Sequence, residues 1–265
     1  TAPIDLKTTL IDGVLEINGN LLAWIYLMLS HREEHLTSSE HRDRHDRILY
    51  ASSLACRQNW LKKPKLTIAI QKLAEAIPEY LSSIDVPLFI KSAWPGGKSK
   101  AVILSHDIDI LDKWILMAGK VPLENIAKGK IRNALEISLS TFKNLIKGCN
   151  PVQDFRWMLD VESKFDFHSS FHFLTGKASF RSILQSDITY STDRIEGVLP
   201  LIRAYDSEVA LHSSYFTPDS PGELEKQRVD LAKVLNGPVK GLRAHFLRTK
   251  GQSLLHSASN QELSW

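Results

Sequence analysis

Cysteine is scarce in this 265-residue chain, which contains only Cys56 and Cys149. Neither lies in a Cys-x-x-Cys or Cys/His pairing, which disfavours a disulfide scaffold and a thiolate zinc site. Long apolar runs are lacking too, because the longest, Leu21 to Leu29, is about half of the ~20 residues that span a bilayer. We therefore expect no transmembrane segment.

The chain also lacks a strong excess of charge. Its 33 Lys and Arg oppose 30 Asp and Glu, giving a net charge of +3, and the basic residues are dispersed. This distribution predicts no nucleic-acid partner. With 43% apolar and 24% charged residues, the composition is that of a globular protein of one large or two smaller domains. The chain begins Thr-Ala-Pro without an initiator Met or a leader, so we expect a trimmed or partial sequence.

Two parts of the chain differ in their patterns. Residues 1 to about 90 are predicted to be mostly helical, with amphipathic stretches at Asn20 to Glu34 and Lys65 to Leu81. A polar, His-rich segment separates these stretches. Pro95, Gly96 and Gly97 interrupt the sequence near residue 95 and indicate a connection between units. We predict an N-terminal accessory domain over residues 1–98 and a second domain over residues 99–265.

Short apolar runs alternate with helical stretches in the second part. This alternation predicts an α/β fold with a parallel sheet, either doubly wound or closed into a barrel. The expected strands are Ala101 to Ser105, Ser169 to Leu174, Glu208 to Leu211 and Val239 to Leu242. The expected helices are Pro122 to Lys147, Val152 to Phe165, Ile195 to Tyr205 and Gly222 to Leu235.

Polar residues follow three of these strands. They are Asp107 and Asp109 after the first, His212 after the third, and Arg243 and His245 after the last. The carboxyl ends of parallel strands share one edge of a sheet, so these side chains are expected to converge. Residues two apart on an extended segment project to the same side, which brings both carboxylates to one place. The alternatives are that the aspartates cap a following helix, that His212 is a hydrogen-bonded core residue and that His245 is exposed.

A carboxylate and two imidazoles are a ligand set for zinc or a similar divalent ion, and they leave one coordination position open for hydrolytic chemistry. A competing metal motif, His31-Arg-Glu-Glu-His35, fits the HxxEH pattern of inverted zinc peptidases. Such a short match is weak and lacks a recognisable third ligand. We interpret Glu33 and Glu34 as the solvated end of a helix, followed by an exposed segment that includes Arg42.

The segment AVILSHDIDIL resembles the first motif of polysaccharide deacetylases, the metal-dependent family four of the carbohydrate esterases. It is similar to the Thr-His-Asp-Val-Asp variant of that motif, with Ser105 in place of Thr. Residues 165–174 (FDFHSSFHFL), 208–215 (EVALHSSY) and 241–248 (GLRAHFLR) resemble later strands of the family. LMLSHREEHL and HDRILYASSLACRQNWLKKP resemble segments of an uncharacterised domain that precedes some bacterial deacetylase domains.

The resemblance implies a deformed (β/α) barrel preceded by a smaller, mostly helical domain. It implies that Asp107 is the catalytic base, that Asp109 and His212 bind the metal, and that Arg243 orients the base. Phe216 stands where the family motif His-Ser-x-x-His has its second metal ligand. From its place after the last strand, we hypothesise that His245 takes that role. The family's later motifs have no counterpart before Trp265, so an incomplete barrel is expected.

The expected activity is metal-dependent deacetylation of N-acetylated amino sugars in a bacterial polysaccharide or oligosaccharide. The leading alternative is a catalytically inactive, deacetylase-like protein that binds or assembles polysaccharide. A glycosidase that uses Asp107 and Asp109 ranks last, because glycosidase carboxylates flank the scissile bond. His168 and His172 are interpreted as structural. Whether the protein acts in the cytoplasm or the cell envelope, and in what oligomeric state, stays open.

Overall fold

A computed structural model of the chain describes residues 8–11, 14–17, 19–60, 62–92, 94–111, 121–146, 151–177, 179, 187–250 and 253–263. The chain divides into two compact units, Thr1–Ala101 and Val102–Trp265. Cys149 lies outside the described residues.

Unit 1 begins with an antiparallel hairpin and continues as helices. The hairpin strands are β1, Thr8–Ile11, and β2, Val14–Ile17. The helices are α1, Gly19–Leu29; α2, Arg32–Leu36; α3, Leu54–Arg57; and α4, Lys65–Ser83. A small core formed by Leu21, Trp24 and Ala69 joins α1 to α4.

The helical stretch expected over Asn20 to Glu34 is interrupted. Helix α1 ends at Leu29, and α2 begins at Arg32. His31 between them has a left-handed backbone, with φ of 50°. The expectation that Arg42 is exposed is also wrong, because its side chain is only 12% exposed. Arg42 donates to the backbone oxygens of Thr37 at 3.2 Å and Asp46 at 2.8 Å.

Unit 2 contains a four-stranded parallel sheet in the order β3-β4-β5-β6. Its strands are β3, Leu104–Ile108; β4, Ser169–Leu174; β5, Glu208–Ser213; and β6, Leu242–Ala244. Its helices are α5, Val121–Ala127; α6, Ile131–Ile146; α7, Pro151–Ser163; α8, Leu199–Ala204; α9, Pro221–Leu235; and α10, Ser253–Ser259. The predicted mixed α/β class and parallel sheet are confirmed, and the sheet curls like part of a barrel.

Several predicted boundaries are wrong. The first strand lies three residues later than Ala101 to Ser105, and β5 extends through Ser213. The helix expected over Pro122 to Lys147 is divided into α5 and α6 near Gly129, whose φ is 71°. The helix expected over Ile195 to Tyr205 is a 3₁₀ segment, Thr192–Gly197, followed by α8.

The two faces of the sheet differ sharply in chemistry. One face carries buried apolar side chains, including Phe171, Phe173 and Leu211, which belong to the main core with residues of α7, α8 and α9. The opposite face carries polar side chains. In the strand register Asp107 pairs with His172, and His212 pairs with Arg243. Because side chains alternate along a strand, the core fixes which residues face the other way.

Tyr190 ties the end of β3 to β4. Its hydroxyl donates to the backbone oxygen of Ile108 at 2.6 Å and accepts from the backbone N–H of Leu174 at 2.9 Å. The ring is 2% exposed, and burial raises the pKa of the phenol far above its ordinary value. The hydroxyl is therefore a neutral link between two strands.

We expect Tyr190→Phe to lower the free energy of unfolding by about 2 to 4 kcal/mol, because it leaves a buried N–H and a buried carbonyl without a partner. Chemical denaturation followed by circular dichroism measures this loss. Tyr205→Phe is the matched control, since the Tyr205 hydroxyl bonds Asp160 in an exposed setting. Equal losses in the two variants would contradict the role of the buried link.

Candidate metal centre

Three side chains from distant parts of the chain meet at the carboxyl edge of the sheet. Asp109 Oδ1 lies 3.2 Å from His212 Nε2 and 3.4 Å from His245 Nδ1. The two imidazole nitrogens are 3.0 Å apart. All three candidate ligand atoms lie within 4.8 Å of one another. Both histidines are buried, whereas the Asp109 side chain is half-exposed.

The curl of the sheet makes this meeting possible. Adjacent strands are about 4.8 Å apart, so β3 and β5 would be separated by about 10 Å in a flat sheet with β4 between them. Asp109 lies just beyond β3, and its carboxylate contacts His212 on β5. His245 follows β6 as the first residue of a 3₁₀ turn, His245–Leu247. The three residues therefore come from the two edge strands of the curved sheet, β3 and β6, and from β5 between them.

A backbone contact fixes which nitrogen of His212 faces the cluster. His212 Nδ1 lies 3.0 Å from the carbonyl oxygen of Arg243, and a carbonyl can only accept a hydrogen bond. The hydrogen of the neutral ring is then on Nδ1, and Nε2 presents a lone pair to Asp109 and His245. Metal-binding histidines use this arrangement, with the second nitrogen donating to a carbonyl or carboxylate.

The spacing of the cluster suits a tetrahedral ion. Ligand atoms at about 2.0–2.1 Å from zinc define a tetrahedron whose edges are about 3.3 Å. The three edges between the cluster atoms measure 3.0, 3.2 and 3.4 Å. One carboxylate and two imidazoles also match the donor set of hydrolytic zinc sites. The residues present therefore fit a divalent ion, although the spacing alone does not identify the metal.

The carboxylate of Asp109 is stabilised in its charged form. Partial burial acts to raise its pKa, but when protons stand on the facing nitrogens of His212 and His245, hydrogen bonds and charge interactions with these rings outweigh this effect. The net result is a pKa of Asp109 well below its usual range. The cluster is thus arranged to attract positive charge, which either added protons or a metal ion would supply.

A segment before the 3₁₀ turn of residues 192–197 holds Asp109 in place. Thr189 Oγ1 donates to the backbone oxygen of Asp109, next to the link that Tyr190 makes to Ile108.

Asp187 is buried, and its Oδ1 accepts from the backbone N–H of Tyr215 at 2.8 Å. Burial raises the pKa of Asp187, and the Tyr215 hydrogen bond partly offsets the rise.

Asp107 stands beside the cluster of Asp109, His212 and His245. It lies on β3, two residues before Asp109, and its Oδ1 lies 3.5 Å from Arg243 Nη1. Both side chains are partly exposed, at 36% and 38%. The predicted site residues Asp107, Asp109, His212, Arg243 and His245 are therefore brought to one edge.

Three alternatives from the sequence can be compared with the structure: an exposed His245, a zinc site at His31 and His35, and aspartates that cap a helix. His245 is 6% exposed, so the expectation that it is an exposed residue is wrong. His31 and His35 do not share one helix, because α2 begins after His31, and Glu34 Oε2 is engaged by Arg42 at 3.3 Å. Among the described residues, the HxxEH segment forms no metal-ligand cluster. The helix that the aspartates were alternatively expected to cap would begin at residues outside the described part.

The two histidines near β4, both interpreted as structural from the sequence, have different surroundings. His168 is exposed, which does not suit a packing residue. His172 lies on the polar face, with its Nδ1 4.0 Å from Asp107 Oδ1. The sequence signal that could have placed His172 on the polar face is its position between Phe171 and Phe173. Both of these point into the core, and side chains alternate along a strand.

A model of a family of unknown function, DUF7033, matches residues 8–82. The match falls within unit 1 and agrees with the resemblance of that part to an uncharacterised domain. No curated protein matches the chain, and no solved structure does. Among the helices of the described residues, none combines the length and apolar character needed to cross a membrane.

Proposed function

We propose that unit 2 is a polysaccharide deacetylase-like domain that hydrolyses the N-acetyl group of an amino sugar with the help of a divalent metal ion, with zinc as the first candidate. The observation that carries this proposal is the cluster of Asp109, His212 and His245 beside the Asp107–Arg243 pair. The resemblance of residues 101–111, 208–215 and 241–248 to deacetylase motifs supplies the substrate class.

The chain's own residues provide the acid–base chemistry. Asp107 accepts the proton of the attacking water as the new C–O bond forms at the acetyl carbon. The Arg243 guanidinium holds one oxygen of Asp107, which leaves the other oxygen for the water. As the C–N bond breaks, Asp107 returns the proton to the amine nitrogen, and acetate leaves. An ion held by Asp109, His212 and His245 would lower the pKa of the water and stabilise negative charge on the carbonyl oxygen.

The test measures acetate release by the full chain from chitopentaose and from a β-1,6-linked N-acetylglucosamine polymer. We expect the chelator-treated chain to be inactive, and addition of zinc to restore acetate release. The binding step is measured separately by calorimetric titration of zinc. Absence of tight zinc binding in a folded chain would contradict the proposal.

A non-catalytic role in polysaccharide binding or assembly is the second candidate. Phe216 favours it, because an imidazole that the deacetylase motif places there is missing, and Phe216 is 42% exposed. Tight zinc binding without acetate release from either substrate would support this second role, which pull-down on the immobilised polymers would then measure.

A further inference from the structure

His172 is a polar residue of the sheet face that the proposed chemistry leaves unused. It pairs with Asp107 in the register of β3 and β4, and its neighbours Phe171 and Phe173 point into the opposite core. The side chain of His172 is 9% exposed, and its Nδ1 lies 4.0 Å from Asp107 Oδ1. The backbone therefore directs the imidazole to the side of the sheet that carries Asp107.

The unpaired nitrogen of His172 requires an explanation. Nδ1 is buried and has no hydrogen-bond partner among the described residues. Burying a polar atom without a partner lowers stability, and an apolar residue would avoid that cost. Burial lowers the pKa of His172, and the Arg243 guanidinium lowers it further, so the ring is held neutral with one N–H to donate.

An acceptor that lies close to that nitrogen is the oxygen already contacted by Arg243. Arg243 Nη1 lies 3.5 Å and His172 Nδ1 lies 4.0 Å from the same Asp107 Oδ1. Catalytic hydrogen bonds are often long in ligand-free sites and shorten when substrate binds. A movement of about 1 Å would bring His172 to an ordinary hydrogen-bond distance.

We propose that His172 is a positioning residue that donates its Nδ1 hydrogen to Asp107 Oδ1. His172 and Arg243 then hold one oxygen of Asp107 from two sides and turn the other toward the water. This inference rests on the proposed function, in which Asp107 is the base. It adds a fourth strand, β4, to β3, β5 and β6, which carry the other residues of the site.

Three substitutions separate this role from simple packing. His172→Asn keeps an N–H donor close to the position of Nδ1, His172→Gln places its donor near the position of Nε2, and His172→Phe keeps the ring without a donor. In the zinc-loaded chain acting on chitopentaose, we expect Gln and Phe to lower kcat by about 10- to 100-fold with little change in KM. We expect Asn to restore most of kcat.

The pattern of the three variants decides between the roles. If His172 only fills space, Phe retains activity and Asn loses it, which overturns the proposal. If His172 instead relays a proton, Asn is as inactive as Phe, which also overturns it. Thermal unfolding of each variant identifies any loss that comes from misfolding.

A second measurement does not depend on activity. Proton–nitrogen correlation spectra of the histidine rings, assigned with His172→Asn, report which nitrogen carries the hydrogen. We expect hydrogen on Nδ1 of His172 and a clear shift of this signal in Asp107→Asn. Hydrogen on Nε2, or no response to Asp107→Asn, overturns the inference. Lack of zinc binding or acetate release in the wild-type chain counts against the proposed function instead, and the spectra still decide the contact between His172 and Asp107.

Discussion

Replacing Asp107 with asparagine is expected to reduce acetate release by at least about 100-fold, the range in which removal of a general base falls. Asparagine keeps the shape of the side chain but cannot accept the proton of the attacking water. Asp107 is not among the three residues of the candidate metal cluster, so zinc affinity should change by less than about tenfold, the lower limit for outer-shell changes. The measurements are kcat on chitopentaose and a calorimetric zinc titration.

Asp193→Asn is the matched control for this change. Asp193 is exposed on the 3₁₀ segment Thr192–Gly197 and lies outside the cluster, so the control should retain both activity and zinc binding. If Asp107→Asn lost zinc binding together with turnover, Asp107 would be a ligand and its assignment as the base would be wrong.

Replacing Asp109 with alanine is expected to weaken zinc binding by at least about 100-fold, because loss of a direct ligand should exceed the 10- to 100-fold effect of outer-shell changes. Asp109 is the best ligand to remove, since its side chain is half-exposed and its loss leaves no large cavity. His212→Ala should weaken binding similarly, but it also empties a buried position. Calorimetry on chelator-treated protein measures both effects.

The polar segment of unit 1 supplies the control for this titration. His41 and His45 could hold zinc loosely at the surface, so a His41→Ala, His45→Ala double variant should lose only weak binding. If this double variant abolished the tight site while Asp109→Ala left it intact, the metal centre would lie in unit 1, and the proposed function would fail.

Sequence reasoning located the candidate site because parallel strands bring their carboxyl ends together. That rule needs only the order of strands, so it tolerates errors of three residues in their boundaries. The boundary of the first strand was missed because the apolar run Ala101 to Ser105 suggests a buried strand, whereas Val102 and Ile103 lie outside β3 and are exposed. The polar ends of β3 and β5 continue the strand, with side chains alternating between the core and the site.

Other features depend on contacts that a local pattern does not contain. The hairpin of β1 and β2 was overlooked, although Asp12-Gly13 between two short β-rich runs is a typical hairpin signal. Thr189 and Tyr190 hold the backbone of residues 108 and 109 across a long stretch of sequence. The burial of the Arg42 side chain likewise depends on carbonyls that only the folded chain presents.

The ligands of the candidate centre come from three well-separated points of the chain, just beyond β3, within β5 and just beyond β6. An ion shared by Asp109, His212 and His245 would therefore act as a cross-link, because the unfolded chain cannot keep these groups together. Its binding free energy would become folding free energy, about 2.7 kcal/mol when the free ion is 100-fold above its Kd. Metal supply would then govern how much of unit 2 survives proteolysis in the cell, as well as how fast it works.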